Sequence, residues 1–348
     1  MARVSINIVS WNGMKFLPEA LETIFNQTYK DFQVVIVDNG STDGTVDYIR
    51  NNYPQVALIR NVKNLGFAHG HNQAIRMAMA KWPAEELNER FILVTNQDIL
   101  FQPDFLEHIL RDAEAHPAAA SFTGKLFKAY FNQTEDGFDE VVRSDTLDST
   151  GLVIKKSHRV YDRGAGENDQ KQYDNERDIF GASGAILLLR GSALAEMRYG
   201  DEFFDEDFFL YKEDIDLAWR LRLAGWKSRY VPEARAYHYR GAYSPARSGW
   251  LTTIMNRRRR SALVNFYSFV NHYFLYIKNE RASTILRYLP WIFFYELKKN
   301  LYTLIFEPKI YFGGYARFFS LMPKMLRKRR HILAKAKATP GEIRRWFE

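Results

Sequence analysis

Five segments of this chain hold side chains whose type and spacing suit chemistry on a polar small molecule. FILVTNQDIL, residues 91–100, is a buried-strand pattern that breaks into Asn96-Gln97-Asp98. One carboxylate at such a corner can hold a divalent cation when phosphate oxygens and water complete the shell, leaving Asn96 as a neutral hydrogen-bonding group. VVIVDNGSTDGT ends a buried strand on Asp38, which either caps the following loop or accepts the imide N–H of a uracil or thymine ring. NLGFAHGHNQAI sets Asn64, Gly66 and two histidines at a helix entry, reading as a Gly-rich turn with exposed histidines or as backbone amides suited to a phosphate.

YKEDIDLAWRLRLAGW places Glu213, Asp214 and Asp216 at a helix start, where the helix dipole favours negative charge. Capping is the ordinary reading of such acids. Three exceed what capping needs, and a carboxylate there can act as general base on a hydroxyl within hydrogen-bond reach. His238, in AYHYRGAYS, is either structural or, if its strand returns it to Asp98, a second ligand to the same ion.

The elements that must position these residues alternate. Through residue 98 the chain runs VSINIVS, FLPEALETIFNQT, FQVVIVDNGS, DGTVDYIRNNY, VALIRN, GHNQAIRMAMAKW and RFILVTNQD, a βαβαβαβ rhythm. A mostly parallel sheet with helices on both faces is the natural packing for it. Ligands bind such sheets outside the carboxyl ends of the strands, so Ser10, Asp38, Asn64 and Asp98 are expected to gather on one rim. Residues 128–178 are polar and read as loops and a hairpin, 212–224 as a helix ended by Gly225, and 227–231 as a last strand.

The 348 residues contain no cysteine, which excludes a disulfide framework, a thiolate nucleophile and a Cys-based zinc site. The N-terminus runs directly into a strand pattern without a leader-like apolar stretch, predicting a protein kept on the cytoplasmic side. The net charge of +8 is unevenly divided: residues 246–348 carry 21 Lys and Arg against 5 Asp and Glu, and the rest of the chain is acidic. The tail is rich in aromatics, yet its apolar runs are interrupted too often for a spanning helix. Amphipathic helices in a headgroup layer fit it better.

These segments, in this order, resemble family 2 glycosyltransferases of the GT-A fold, and most of all their bacterial rhamnosyltransferase branch. VSINIVSWN, VVIVDNGSTDGT, NLGFAHGHNQAI, FILVTNQDILFQPDFL, FGASGAILLLRGSAL, FFDEDFFLYKEDIDLAWRLRLAGWK and AYHYRGAYS carry the resemblance across about residues 4–245. It implies an α/β GT-A catalytic domain over 1–245 and a basic helical, membrane-associating region over 246–348. It implies further that Asp38, flanked by Val9 and Ser10, binds the base of a dTDP- or UDP-sugar, with Asn64, Gly66, Asn96 and Gln97 along the nucleotide. Asp98 would meet Mg²⁺ or Mn²⁺, with His238 as the far-side ligand. Asp214 would be the catalytic base, supported by Glu213 and Asp216. Asn96 departs from the family's usual first Asp, which bears on metal dependence.

The implied acceptor is a saccharide on a polyprenyl-diphosphate lipid at the cytoplasmic membrane face, in cell-surface polysaccharide (O-antigen-type) synthesis. Arg257, Arg258, Arg259, Arg260, Lys328, Arg329 and Arg330 are the expected contacts to an anionic surface, each cation contributing roughly 1 kcal/mol there. A non-catalytic sugar-nucleotide-binding scaffold is the alternative. Nucleic acid is not expected, because the acidic body repels a polyanion.

Overall fold

The computed structural model describes residues 1–133, 139–239, 257 and 260–348. The first half follows the alternating rhythm: β1 (Val4–Ser10), α1 (Leu17–Phe25), β2 (Phe32–Asp38), α2 (Thr45–Asn52), β3 (Ala57–Arg60), α3 (Gly66–Met79) and β4 (Phe91–Thr95). β2 is a nearly continuous apolar run, β1 is buried at all but one position and β4 at every position, as befits parallel strands covered on both faces.

Next come β5 (Ile99–Phe101), α4 (Phe105–Ala115), the long antiparallel pair β6 (Ala119–Gln133) and β7 (Asp139–Ser149), and the small pair β8 (Leu152–Ile154) and β9 (Val160–Asp162). β10 (Ile186–Arg190), α5 (Gly191–Met197), α6 (Glu213–Leu223) and β11 (Lys227–Tyr239) complete the body. The main sheet has the order β3-β2-β1-β4-β10-β6-β11-β5, with β7 on β6. It is parallel through β3-β2-β1-β4 and between β6 and β11. β10 runs antiparallel to both its neighbours, and β5 runs antiparallel to β11.

Two features of this topology build the site. The chain reverses its direction of travel across the sheet between β1 and β4, so the crevice at their carboxyl ends is where a ligand is expected. β11 is much longer than the stretch to Val231 read from sequence. A register shift between Val231 and Arg235 takes Pro232 out of the ladder and the strand continues. That continuation pairs His238 with Ile99, beside Asp98.

The C-terminal helices α7 (Ala262–Asn279), α8 (Ala282–Phe306), α9 (Pro308–Ala334) and α10 (Pro340–Arg344) pack on the body. One hydrophobic core joins Ile154, Phe180 and Trp219 to Val270, Phe274 and Met325. No helix among the described residues is long and apolar enough to cross a membrane.

Candidate functional site

At the β1/β4 crevice the parallel register sets Ser10 beside Asp38, and the Ser10 hydroxyl donates to Gln97 Oε1 at 2.8 Å. The Trp11 amide donates to the same oxygen at 3.1 Å. Asp38 is fully buried. Its Oδ2 accepts the Gly40 and Ser41 amides, both at 3.1 Å, while its Oδ1 is buried without a hydrogen-bond partner in the protein. Loop capping and an open acceptor are therefore both present in one carboxylate, on different oxygens. A buried acceptor without a donor is costly, and a ligand N–H would relieve it. The next residue, Asn39, connects this corner to the α3 entry by donating to the Gly66 carbonyl at 3.2 Å and to Asn64 at 3.4 Å.

The entry to α3 is not an open phosphate cradle. The Gly66 amide donates to Asn64 Oδ1 at 2.8 Å, and the Phe67 and Ala68 amides both point at the Phe209 carbonyl, at 2.8 and 3.4 Å. Gly66 is required for that approach: its φ is +84°, and a Cβ would stand 2.4 Å from the Phe209 oxygen. Further along α3, Asn72 accepts the Phe203 and Phe204 amides. His71, far from being exposed, is fully buried against Phe67 and Phe204, and burial lowers its pKa to about 3. The NLGFAHGHNQAI segment thus latches the 203–209 loop, the loop that leads into α6.

At the start of α6, Asp214 Oδ2 accepts the Gly184 amide at 2.8 Å and Oδ1 accepts the Ile215 amide at 2.8 Å. Burial raises its pKa against those two bonds. Glu213 is buried with Oε2 unpartnered, and burial followed by the Asp214 charge raises its pKa well above the carboxylate range. A Cβ on Gly184 would stand 3.2 Å from Phe67 and 3.3 Å from the Asp214 Cβ. A path of neighbours therefore runs from Asp38 through Asn39, Gly66, Phe67 and Gly184 to Asp214.

Asp216 belongs elsewhere. It is fully buried and bound by Arg220 at 2.9 Å, Lys278 at 2.7 Å and Asn279 at 2.9 Å. These cations hold its pKa down despite burial. It ties α6 to α7 and is not a supporting group beside Asp214, because its carboxylate is already saturated.

Asp98 and His238 do meet: Oδ1 and Nε2 are 3.3 Å apart, with the Asn96 amide 3.5 Å from the same nitrogen. On the other side of the ring, Nδ1 lies 2.8 Å from the buried carboxylate of Asp148. Burial lowers the His238 pKa, but Asp98 and Asp148 outweigh it and bring it to about 9. This donor set fits a divalent ion: carboxylate oxygen and imidazole nitrogen at the separation of adjacent ligands, with a carboxylate holding the second ring nitrogen. Among the described residues no group of three His, Cys, Asp or Glu side chains gathers for a metal, and Asp98 and His238 are the pair that would hold one. Asp148 was not read from sequence. It is one of several acids in a polar strand, with no motif around it.

Residues 5–145 match the model of glycosyl transferase family 2, and residues 92–318 that of glycosyl transferase family group 2. The chain is 30% identical over 248 residues to the N-acetylglucosaminyl-diphospho-decaprenol L-rhamnosyltransferase of Mycobacterium tuberculosis, covering 69% of this chain and 76% of that one. The chain belongs to glycosyl transferase family 2. This glycosyltransferase is also 27% identical to the rhamnosyltransferase WbbL of Escherichia coli, over 68% of its own length and 83% of WbbL. Its GT-A fold is shared with the mannosyltransferase PcManGT of Pyrobaculum calidifontis, solved with GDP-Man and Mn²⁺, at a TM-score of 0.50 and 15% identity over 96% and 85% of the two chains.

The expected membrane contacts fare unevenly in this glycosyltransferase. Arg258 and Arg259 lie outside the described residues. Lys328 is buried, within 2.5 to 2.8 Å of Glu202, Asp205 and Asp207, so its charge is spent inside the protein. Arg329 donates to the Ile277 and Glu280 carbonyls, and Arg257 pairs with Glu307 at 2.5 Å. Arg260 and Arg330 are exposed.

Proposed function

We propose that this glycosyltransferase moves L-rhamnose from dTDP-L-rhamnose to a hydroxyl of a lipid-linked saccharide, with inversion at the anomeric carbon. The observation that carries the reading is the Asp214 carboxylate, fixed by the Gly184 amide, in the same site as Asp38 with its open, buried oxygen. The likeness to the mycobacterial L-rhamnosyltransferase supports the choice of sugar and acceptor.

In this reading Asp38 Oδ1 accepts the pyrimidine imide N–H and the Ser10–Gln97 corner borders the nucleotide. Asp98 and His238 would hold Mg²⁺ or Mn²⁺, and that ion supplies positive charge to the diphosphate as it departs. Asp214 takes the acceptor hydroxyl's proton as its oxygen approaches C1 from the face opposite the diphosphate. Its raised pKa makes it a stronger base than an ordinary aspartate. A single displacement inverts the centre and leaves no sugar on the enzyme.

The acceptor's lipid places the enzyme at the cytoplasmic membrane face as a peripheral protein. Supporting this, α8 exposes Leu286, Trp291, Phe293, Phe294, Ile305 and Phe306, an apolar face of the kind that lies in a headgroup layer. The exposed cations Arg287, Lys309 and Arg330 take over from the buried Lys328 as contacts to anionic lipid.

The test is a screen of UDP-, dTDP- and GDP-sugars for thermal stabilisation with and without Mn²⁺, followed by transfer to a prenyl-diphosphate saccharide. Stabilisation by dTDP-rhamnose and a product of inverted configuration are expected. Absence of nucleoside diphosphate release with every donor would sink the proposal.

A further inference from the structure

Outside the crevice a cavity of about 350 Å³ opens between α7, α8, the loop at 157–159 and Lys212. Its walls bring together five cationic side chains, Arg159, Lys212, Arg257, Lys298 and Lys299, with Phe269, Tyr295 and Tyr302. Lys299 pairs with Glu296 at 2.6 Å and Arg257 with Glu307 at 2.5 Å. Glu296 is itself shared with His272 at 2.6 Å and the Tyr273 hydroxyl at 2.9 Å. No carboxylate among the described residues lies within ion-pair distance of Lys212 or Lys298.

Positive charge thus exceeds negative in a partly enclosed space. Burial first, then the neighbouring Lys299, push the pKa of Lys212 well below that of a free lysine. Such a group gains most from an anion. Phe294 lines the cavity and also belongs to the exposed apolar face of α8, so the opening meets the surface assigned above to the bilayer. Lys212, in the cavity wall, stands two residues from Asp214, their Cα atoms at most about 7 Å apart.

We propose that this cavity binds the diphosphate of the lipid-linked acceptor, with the lipid leaving past Phe294 and the saccharide leading past Lys212 towards Asp214. The proposal rests on the acceptor reading given under the proposed function and names the residues that hold that acceptor. An ammonium and a guanidinium facing a diphosphate make charge-assisted hydrogen bonds, the strong kind. The aromatic walls suit the first carbons of the lipid. A site for the diphosphate here separates anchoring of the acceptor, by the C-terminal helices, from activation of its hydroxyl by α6.

The experiment measures binding of farnesyl diphosphate in neutral detergent micelles to the full chain, to Lys298→Gln and to Lys212→Gln/Lys298→Gln, with dTDP binding measured in parallel. Phosphatidylglycerol vesicles free of prenyl lipid form the second arm. Farnesyl diphosphate affinity is expected to fall about tenfold in the double variant, the factor of one charge-assisted hydrogen bond, with a smaller fall in Lys298→Gln. dTDP and vesicle binding should stay unchanged. Equal farnesyl diphosphate affinity in all three proteins overturns the proposal while dTDP binding keeps the transferase reading intact. A loss confined to phosphatidylglycerol also overturns it, assigning the cavity to a phospholipid headgroup. Lys298 is exposed, so the single variant decides the matter even if the double variant fails to fold.

Discussion

The Gly184 amide donates to Asp214 Oδ2 at 2.8 Å, so the carboxylate assigned as base is aimed by a residue that has no side chain to aim it with. A methyl group at 184 would press on both Asp214 and Phe67. Gly184→Ala is therefore expected to lower kcat by about 10- to 100-fold with little change in donor affinity. Asp214→Asn should lower it by about 10³-fold or more, in line with loss of a general base. Steady-state kinetics beside dTDP titrations read both. A Gly184→Ala enzyme of full activity would show that the Asp214 orientation is set elsewhere.

Asp38→Asn keeps the shape of the corner but offers an amide where the buried Oδ1 has no donor. Donor affinity is expected to fall by about 10- to 100-fold, the cost of a lost hydrogen bond to a charged acceptor. Isothermal titration with dTDP measures it. Equal affinity in the variant would assign Asp38 to the Gly40–Ser41 turn alone.

Asp148 touches His238 and not the reacting atoms, so it acts as a positioning residue. Asp148→Asn is expected to raise the Mn²⁺ concentration for half-maximal activity by about 10- to 100-fold, as for other partners of metal-binding histidines. A fall in activity that saturating Mn²⁺ does not restore would indicate a purely structural role.

Glu213 gives a pH signature. Its folded pKa is raised, so the native state keeps a proton that the unfolded chain releases near the ordinary glutamate pKa. Stability from this group is complete below that ordinary value and is lost as pH rises through the folded one. Glu213→Gln should therefore have a higher Tm than the parent enzyme at pH 8 and the same Tm at pH 4. Parallel Tm curves across that range would contradict the assignment.

Lys328 separates an internal from an external role. Lys328→Ala leaves Asp205 buried with one cation fewer and is expected to destabilise the fold by about 3 kcal/mol or more. Chemical denaturation measures this. A variant of unchanged stability but weakened vesicle binding would restore Lys328 to the membrane surface.

The parallel half of the fold was readable because apolar runs such as FQVVIVD can be buried only as covered strands, and the turn residues after them mark the rim. Asp98 and His238 were readable as a pair only conditionally, since their meeting depends on β11 continuing past Pro232. Three features were beyond a reading of local pattern. Phe209 acts through its carbonyl, which every residue possesses. Asp148 is one acid among many in a polar segment. Lys328 sits in RKRR, a run that reads as solvated, and its partners lie 121 to 126 residues away in the chain.

That last separation governs the order in which the enzyme matures. On the ribosome, Asp205 emerges 123 residues ahead of Lys328, and Asp216 emerges 63 residues ahead of Asn279. Until those later residues arrive, Asp205 lacks both Lys278 and Lys328 and Asp216 has Arg220 as its counter-charge without Lys278, and contacts this distant in sequence form slowly. A nascent chain released before α9 is made should hold a sheet but no competent base, which couples the onset of catalysis to completion of the C-terminal helices.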